Sequence, residues 1–246
     1  MKVAVSWTGG KDSALAYYKT VKEHDIKMLV NFLWEKPSFS HSFLTTKFHS
    51  EVIQKQFLWD KLTPPYDSSY KESILELRDE FGIEAIVTGD ITEDSFHGKW
   101  IDEVCRGTGV KVIKPLWEQD REEIMGEVLS AGLKVVFVCV KEPWFNENWL
   151  GRVIDKQCIR DLKVLHAKNG VDICGEFGEY HTMVVDAPFF QKTLKVCKFG
   201  NRKVGHSYIM DPIEFSIKPK LTQGFEERRL KVASTALSYE AALYNT

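Results

Sequence analysis

The opening stretch, MKVAVSWTGGKDSALAYY, constrains the fold more than any other part of the chain. An apolar run over residues 3 to 6 enters a turn with two adjacent glycines, and Ala14, Leu15, Tyr18 and Val21 then recur at helical spacing. Strand, glycine turn and helix in that order form the repeating unit of a parallel α/β sheet, and the rhythm continues. IKMLVNFLW (Ile26 to Trp34) reads as a second strand, and residues from about Thr46 to Phe57 as a helix. Tyr70, Ile74, Leu77 and Phe81 share a helical face, with Ser69 and Glu72 at capping-box spacing and Gly82 as the stop. EAIVTGD is a strand ending in a second glycine turn, Lys99 to Arg106 is helical, and VKVIKPLW is a strand. Asp120 to Ala131 is a helix capped by Asp120 and Glu123 and ended by Gly132, and LKVVFVCV is a buried strand. Near-continuous apolar strands alternating with helices predict an α/β fold with a doubly wound parallel sheet covered on both faces. Ligands of such sheets bind at the carboxyl ends of the strands, where TGGKDS and TGD both fall.

Composition narrows the partners. With 43% hydrophobic residues, 28% charged residues and a formal net charge of -2, the chain has neither the profile of a disordered segment nor that of a polybasic DNA binder. No apolar run approaches the roughly 20 residues that span a bilayer, so no membrane partner and a cytoplasmic location are expected. The five cysteines, at 105, 139, 158, 174 and 197, contain no C-x-x-C pair, which favours buried reduced thiols over a zinc, iron-sulfur or redox site. None of the seven histidines forms an H-x-x-x-H pair.

A turn with two glycines lets the backbone approach an anion, and the helix that follows presents unpaired N–H groups. Lys11 adds a point charge, and Thr8 and Ser13 add hydroxyl donors. Adjacent glycines, with Asp12 between Lys11 and Ser13, do not match the Walker spacing G-x-x-x-x-G-K-[ST], so the loop is expected to hold a phosphate in another way. Lys11 reads as a surface group whose removal leaves the fold intact. Asp12 is equally placed to bind a cation or to cap the helix.

TGGKDS resembles the SGGKDS signature of the PP-loop ATP pyrophosphatase superfamily, with Thr8 keeping the hydroxyl of the usual serine. VTGDI (87–91), VCRGTGVKVIKPLW (104–117), WLGR (149–152) and CGEFGEYHTMVVDAPFF (174–190) resemble, in order, the blocks of the diphthine ammonia ligase family. The similarity covers roughly residues 2 to 195. It implies an adenine nucleotide alpha hydrolase-like, Rossmann-like ATP-binding domain over 1–142, a smaller α+β substrate-binding region over 143–225, and a tail over 226–246. It also implies a reaction: ATP is cleaved between its α and β phosphates, a carboxylate is adenylated, and the acyl group passes to free ammonium with release of AMP and pyrophosphate. In that family the acid is diphthine, a modified histidine on elongation factor 2.

Carried over residue by residue, Thr8, Gly9, Gly10, Lys11, Asp12, Ser13, Gly89 and Asp90 are expected at the nucleotide, with Asp12 and Asp90 able to take Mg²⁺. Lys11, Asp12, Glu176 and Glu179 are the expected catalytic groups. The two glutamates lie three apart in a glycine loop, so both could face one cavity and steer an ammonium ion, a cationic substrate or a metal. The acceptor is expected near His97, Trp100, Arg152, Glu176, Glu179 and Thr182, with Arg152 equally suited to a structural salt bridge. Phe96 to Trp100 departs from the Y-Q-R-x-R pattern of the family, Phe177 stands for a small residue and His181 for glutamate, which leaves the acid itself open. Two other readings fit the loop: a PP-loop ligase for another small molecule or RNA, including tRNA thiolation, and a non-catalytic ATP-binding protein. The aromatic stretch EPWFNENWLG suits an interface, so both a monomer and a homodimer fit the sequence.

Overall fold

A computed structural model of the chain describes residues 1–34, 41–53, 55–92 and 96–220; of residues 34, 41–46, 96, 97, 212, 213 and 215 it describes the backbone only. The tail over 226–246 lies outside the described residues. The first half runs β1 (Lys2–Ser6), α1 (Lys11–Thr20), β2 (Asp25–Trp34), α2 (His41–Val52), β3 (Gln56–Leu62), α3 (Tyr66–Phe81), β4 (Ala85–Val87), α4 (Phe96–Cys105) and β5 (Lys111–Ile113). Its five strands form one sheet in the order β3-β2-β1-β4-β5, and each neighbouring pair is parallel. This is the doubly wound α/β sheet that the alternating pattern predicts.

Period-two alternation covers both faces of this sheet. Val3, Val5, Ala85 and Val87 are fully buried in one cluster with Ala14 and Leu15 of α1. Ala4, Met28, Val30 and Ile86 point the other way and pack on Tyr70, Ile74 and Leu77 of α3 and Ile101 of α4. Each of the larger side chains removed from water contributes about 1.5–3 kcal/mol, which fixes the strand register and therefore the places where the loops leave the sheet. The strand order reverses between β1 and β4, so their carboxyl ends open a crevice at the switch point.

The second half runs α5 (Arg121–Ser130), β6 (Lys134–Lys141), a 3₁₀ turn (Glu147–Trp149), α6 (Lys156–Asn169), β7 (Tyr180–Asp186), β8 (Lys192–Val204) and β9 (Ser207–Pro219). These strands form a separate antiparallel sheet in the order β7-β6-β9-β8. The strand LKVVFVCV, expected in the parallel sheet, is thus β6 of the second one. Its six consecutive buried residues suit a central strand of either sheet, so its composition does not choose the partner. The hydrophobic cluster against α1 continues through Val135 to Val140 and Tyr180, which makes one core of both sheets.

Three local expectations change. The helix expected through Phe57 ends at Val52, and QFLWDKL forms the edge strand β3, half exposed and without a clean alternation. Helix α3 starts at Tyr66 after Pro65, not at Ser69; the Ser69 hydroxyl instead accepts the Thr63 N–H (3.1 Å). Four of the cysteines are buried free thiols, whereas Cys197 is exposed. The stops behave as expected, with Gly82 in the left-handed region at φ 65° and the Asp120 carboxylate accepting the N–H groups of Glu122 and Glu123.

Candidate active site

The TGGKDS loop is stitched to the second sheet. Gly9, at φ 79°, accepts the Val184 N–H on its carbonyl (3.0 Å), and the Lys11 N–H donates to Thr182 Oγ1 (3.1 Å). Trp7, just before the loop, is fully buried and donates through Nε1 to His49 Nδ1 (3.2 Å). His49 is therefore neutral with its proton on Nε2, which donates to the Val184 carbonyl (2.6 Å). Burial drives its pKa down to about 4, against the opposing pull of that carbonyl. Gly89 presses the second turn onto the start of α1: a Cβ there would lie 2.7 Å from the Asp12 carbonyl carbon. Close packing, more than a phosphate contact, explains this glycine.

Lys11 overturns the expectation of a surface group, because only 2% of it is exposed. Its Nζ donates to both carboxylate oxygens of Asp12 (2.9 and 2.8 Å) and to the Cys174 carbonyl, and it sits 5.4 Å from the centre of the Tyr180 ring. Burial alone would lower the pKa of this ammonium, but Asp12 outweighs that cost and the group stays charged above its ordinary value. Asp12 does not cap the helix; Gly10 is the N-cap and no side chain caps it. Thr8 Oγ1 donates to Ser13 Oγ (3.3 Å), which donates to the Gly10 carbonyl (3.1 Å), so the loop hydroxyls support one another.

Above the loop lies a cavity of about 280 Å³, walled by Thr8, Asp12 and Ser13 from the first turn, Thr88, Gly89 and Asp90 from the second, and Glu176 from the distant GEFGEY segment. Ser6, Trp7, Asn31, Phe32, Leu62 and Tyr70 complete its lining. The Thr88 hydroxyl is buried there with no hydrogen-bond partner among the described residues. Unpartnered buried hydroxyls are uncommon, and one facing a cavity is a group available to a ligand. Glu176 has its pKa raised to about 7, chiefly by burial and next by the Asp12 charge, with Lys11 pulling the other way. Among the described residues, no three His, Cys, Asp or Glu side chains are grouped to hold a metal ion.

The two glutamates of GEFGEY part company. Glu176 enters the cavity, while Glu179, 3% exposed, turns back into its own loop and accepts the N–H groups of Asp172 (2.9 Å) and Phe177 (3.0 Å). Gly175 has φ 71° and lies against the Tyr180 ring, where a Cβ would approach within 2.7 Å, and the Tyr180 hydroxyl donates to the Ile173 carbonyl (2.6 Å). Thr182 supports the Lys11 backbone from β7. Trp100 donates to Asp67 (2.6 Å) and packs edge-on against Tyr70 (4.9 Å), so it backs the cavity wall. Arg152 pairs with Asp161 and stacks 4.3 Å from the Trp149 ring, in the structural role that was one of its two expected readings, and it is not among the cavity residues. His97 falls in α4, and its side chain lies outside the described residues. Sequence reasoning did not single out Thr88, Asn31, Asp172 or Arg121 and named Tyr70 only as part of a helical face; the apolar neighbours of Asn31 and the VDICGE context of Asp172 were the available signals.

A parallel sheet with TGGKDS at its switch point, beside an acid-lined cavity that a second glycine turn also borders, is the arrangement expected of the PP-loop class. Residues 1–112 match the model of the diphthamide synthase N-terminal domain, and residues 120–211 that of the diphthamide synthase C-terminal domain. The two models are the halves of one family and together span most of the chain, which belongs to the diphthamide synthase family; relatives in yeasts and vertebrates are named diphthine–ammonia ligases, a name for an enzyme that forms a C–N bond. It is 23% identical over 223 residues to the diphthine–ammonia ligase of Mus musculus, covering 80% of this chain and 83% of that protein. It is 30% identical over 112 residues to that of Schizosaccharomyces pombe, covering 46% of this chain and 18% of that protein, so the chain spans only a small part of the fission yeast relative. A solved structure described as a predicted subunit of tRNA methyltransferase from Methanocaldococcus jannaschii superposes with a TM-score of 0.44 at 15% identity, covering 76% of this chain and 98% of that one.

Proposed function

We propose that this chain is an ATP-dependent amide-forming ligase that adenylates a carboxylate, that of diphthine on elongation factor 2 or of a related acid, and couples it to ammonia. The observation that carries the reading is the shared cavity, where the first turn, the second turn and Glu176 meet although they lie far apart in sequence. Carboxylate and ammonia form only a salt at neutral pH, so the acid oxygen must first become part of a good leaving group. Attack of that oxygen on the α-phosphorus of ATP breaks the bond to pyrophosphate and gives a mixed anhydride. Ammonia then attacks the acyl carbon, and AMP leaves.

In this reading Thr8, Ser13 and the loop backbone face the phosphates, and the part of the cavity lined by Asn31, Phe32, Tyr70 and the Thr88 hydroxyl receives the nucleoside. Lys11 contributes its charge from behind Asp12. Asp12 and Asp90 both line the cavity and would supply carboxylate oxygens to Mg²⁺, an ion that takes one or two carboxylates together with phosphate oxygens and water. When bound, that ion would neutralise phosphate charge. Glu176 holds its proton up to about pH 7, so above that pH its carboxylate can bind ammonium and accept the proton released as the amine attacks. The antiparallel-sheet part presents the acceptor, and no helix among the described residues is long and apolar enough to cross a membrane.

Incubation with Mg-ATP, ammonium and elongation factor 2 bearing diphthine tests the reading. AMP, pyrophosphate and the mass change from acid to amide are the expected products. ADP and phosphate would refute it, and tightly bound ATP with no pyrophosphate released for any acid would make the chain a nucleotide sensor instead.

A further inference from the structure

The segment from Asp172 to Glu179 contains two left-handed glycines, Gly175 at φ 71° and Gly178 at φ 82°, and a backbone of that kind has wide conformational freedom unless something holds it. Two carboxylates hold it here. Asp172 Oδ1 accepts the N–H groups of Cys174 (2.7 Å) and Glu176 (3.4 Å), and Oδ2 accepts from Arg121 Nε (3.0 Å). Glu179 fixes the N–H of Asp172 itself and that of Phe177.

We propose that Asp172, anchored by Arg121, is the positioning residue of the site: it sets the peptide units of Cys174 and Glu176, and through them both the Lys11 ammonium and the Glu176 carboxylate. Cys174 carries the carbonyl that receives Lys11 Nζ, and its own N–H is the one that Asp172 holds most closely. Glu176 sends its side chain into the cavity from a backbone unit on the same oxygen. Arg121 is the first residue of α5, and its side chain is 24% exposed against 10% for Asp172, so the anchor reaches from a rigid helix into a nearly dry interior. Neither residue lines the cavity, so any influence on turnover must act through the residues they hold. One carboxylate thus links the placement of the buried Lys11 cation with that of the Glu176 acid.

The inference rests on the ligase reading above only for its turnover measurement. Amide hydrogen exchange in the ligand-free full chain, comparing wild type with Asp172→Ala and Arg121→Ala, reads the clamp directly. Loss of a charge-assisted hydrogen bond should speed exchange at Cys174 and Glu176 by about tenfold or more, with protection in both sheets retained. In turnover, kcat for AMP formation should fall by about tenfold or more while KM for ATP stays within about threefold, and Arg121→Lys should recover part of the loss. Unchanged exchange at Cys174 and Glu176 overturns the proposal, as does accelerated exchange with an undiminished kcat. If Asp172→Ala does not fold, Arg121→Ala, which leaves the carboxylate in place, carries both measurements. A wild type that forms no AMP with any acid removes the ligase reading, and the exchange result still decides whether Asp172 sets the loop.

Discussion

Replacing Lys11 tests the physical account of the loop most directly, because a surface lysine and a buried one predict opposite results. In Lys11→Ala the Asp12 carboxylate loses the ammonium that meets both of its oxygens, and the Cys174 carbonyl loses a donor. Removing one partner of a fully buried ion pair costs about 3–5 kcal/mol. The Asp12 side chain is 29% exposed, so water can screen part of the orphaned charge, and about 2–3 kcal/mol is the appropriate share. An unsatisfied buried carbonyl adds about 1 kcal/mol. The total of about 3–4 kcal/mol corresponds to a fall in Tm of about 6–16 °C for a domain of this size. Lys11→Met keeps most of the volume and should lose nearly as much, since the deficit is electrostatic. Adding Asp12→Asn to Lys11→Met removes the stranded charge and should recover more than half of the loss, a coupling that a double-mutant cycle in urea measures. Melting of Lys11→Ala within about 2 °C of wild type would refute the argument, because that is how an ordinary surface substitution behaves.

Three further outcomes follow from the site. Thr88→Val should leave stability unchanged or slightly higher, since it removes an unpartnered buried hydroxyl, and should weaken ATP binding about fivefold by calorimetry; equal affinity would take that hydroxyl out of the nucleotide site. Gly89→Ala should cost about 1–3 kcal/mol in urea, because its Cβ has no room beside the Asp12 backbone; a variant as stable as wild type would contradict the close approach. The third concerns pH. His49 has a folded pKa of about 4 against an ordinary 6.5, so the unfolded chain binds the extra proton and stability is lost as pH falls through that window. Glu176, raised to about 7, has the opposite slope, since the folded chain then holds the extra proton and stability falls as pH rises from 4.5. The two mask each other in the wild type, so Glu176→Gln should uncover a loss of about 2 kcal/mol between pH 7 and pH 5, and a flat profile in that variant would be inconsistent with a neutral buried His49. In turnover, the rate of amide formation by the wild type should fall as pH drops through about 7, and Glu176→Gln should lack that inflection.

The parallel sheet was legible because its code is short-range: apolar strands such as KVAVS, glycine turns and helical faces such as Tyr70, Ile74 and Leu77 are each written within a few residues. Pairing partners are not local, which is why β6, buried on both faces, could be recognised as a strand and yet placed in the wrong sheet. The edge strand β3 failed for the complementary reason, since half-exposed edges lack the alternation that reveals a strand. At the site, the turns and Glu176 were readable from residue type and spacing. The direction of a side chain was not: Glu176 and Glu179 look equivalent in GEFGEY, and only the backbone turn at Gly178 separates an acid facing the cavity from one bound to its own loop. Lys11 misled because a lysine beside two glycines usually belongs at the surface; here the carboxylate that receives it is its neighbour Asp12, and the carbonyl comes from Cys174, far along the chain.

The hydrogen bonds that join the first loop to Thr182, which accepts, and Val184, which donates, bear on how such a chain can be divided or recombined. The two family models meet between residues 112 and 120, which invites treating the halves as interchangeable cassettes. Yet the loop at residues 9 to 11 takes its shape from β7, on the far side of that seam. A first half transplanted onto a foreign partner would carry its signature without the strand that moulds it. Chimaeras of this family should therefore exchange the loop together with residues 172 to 184, as one discontinuous graft.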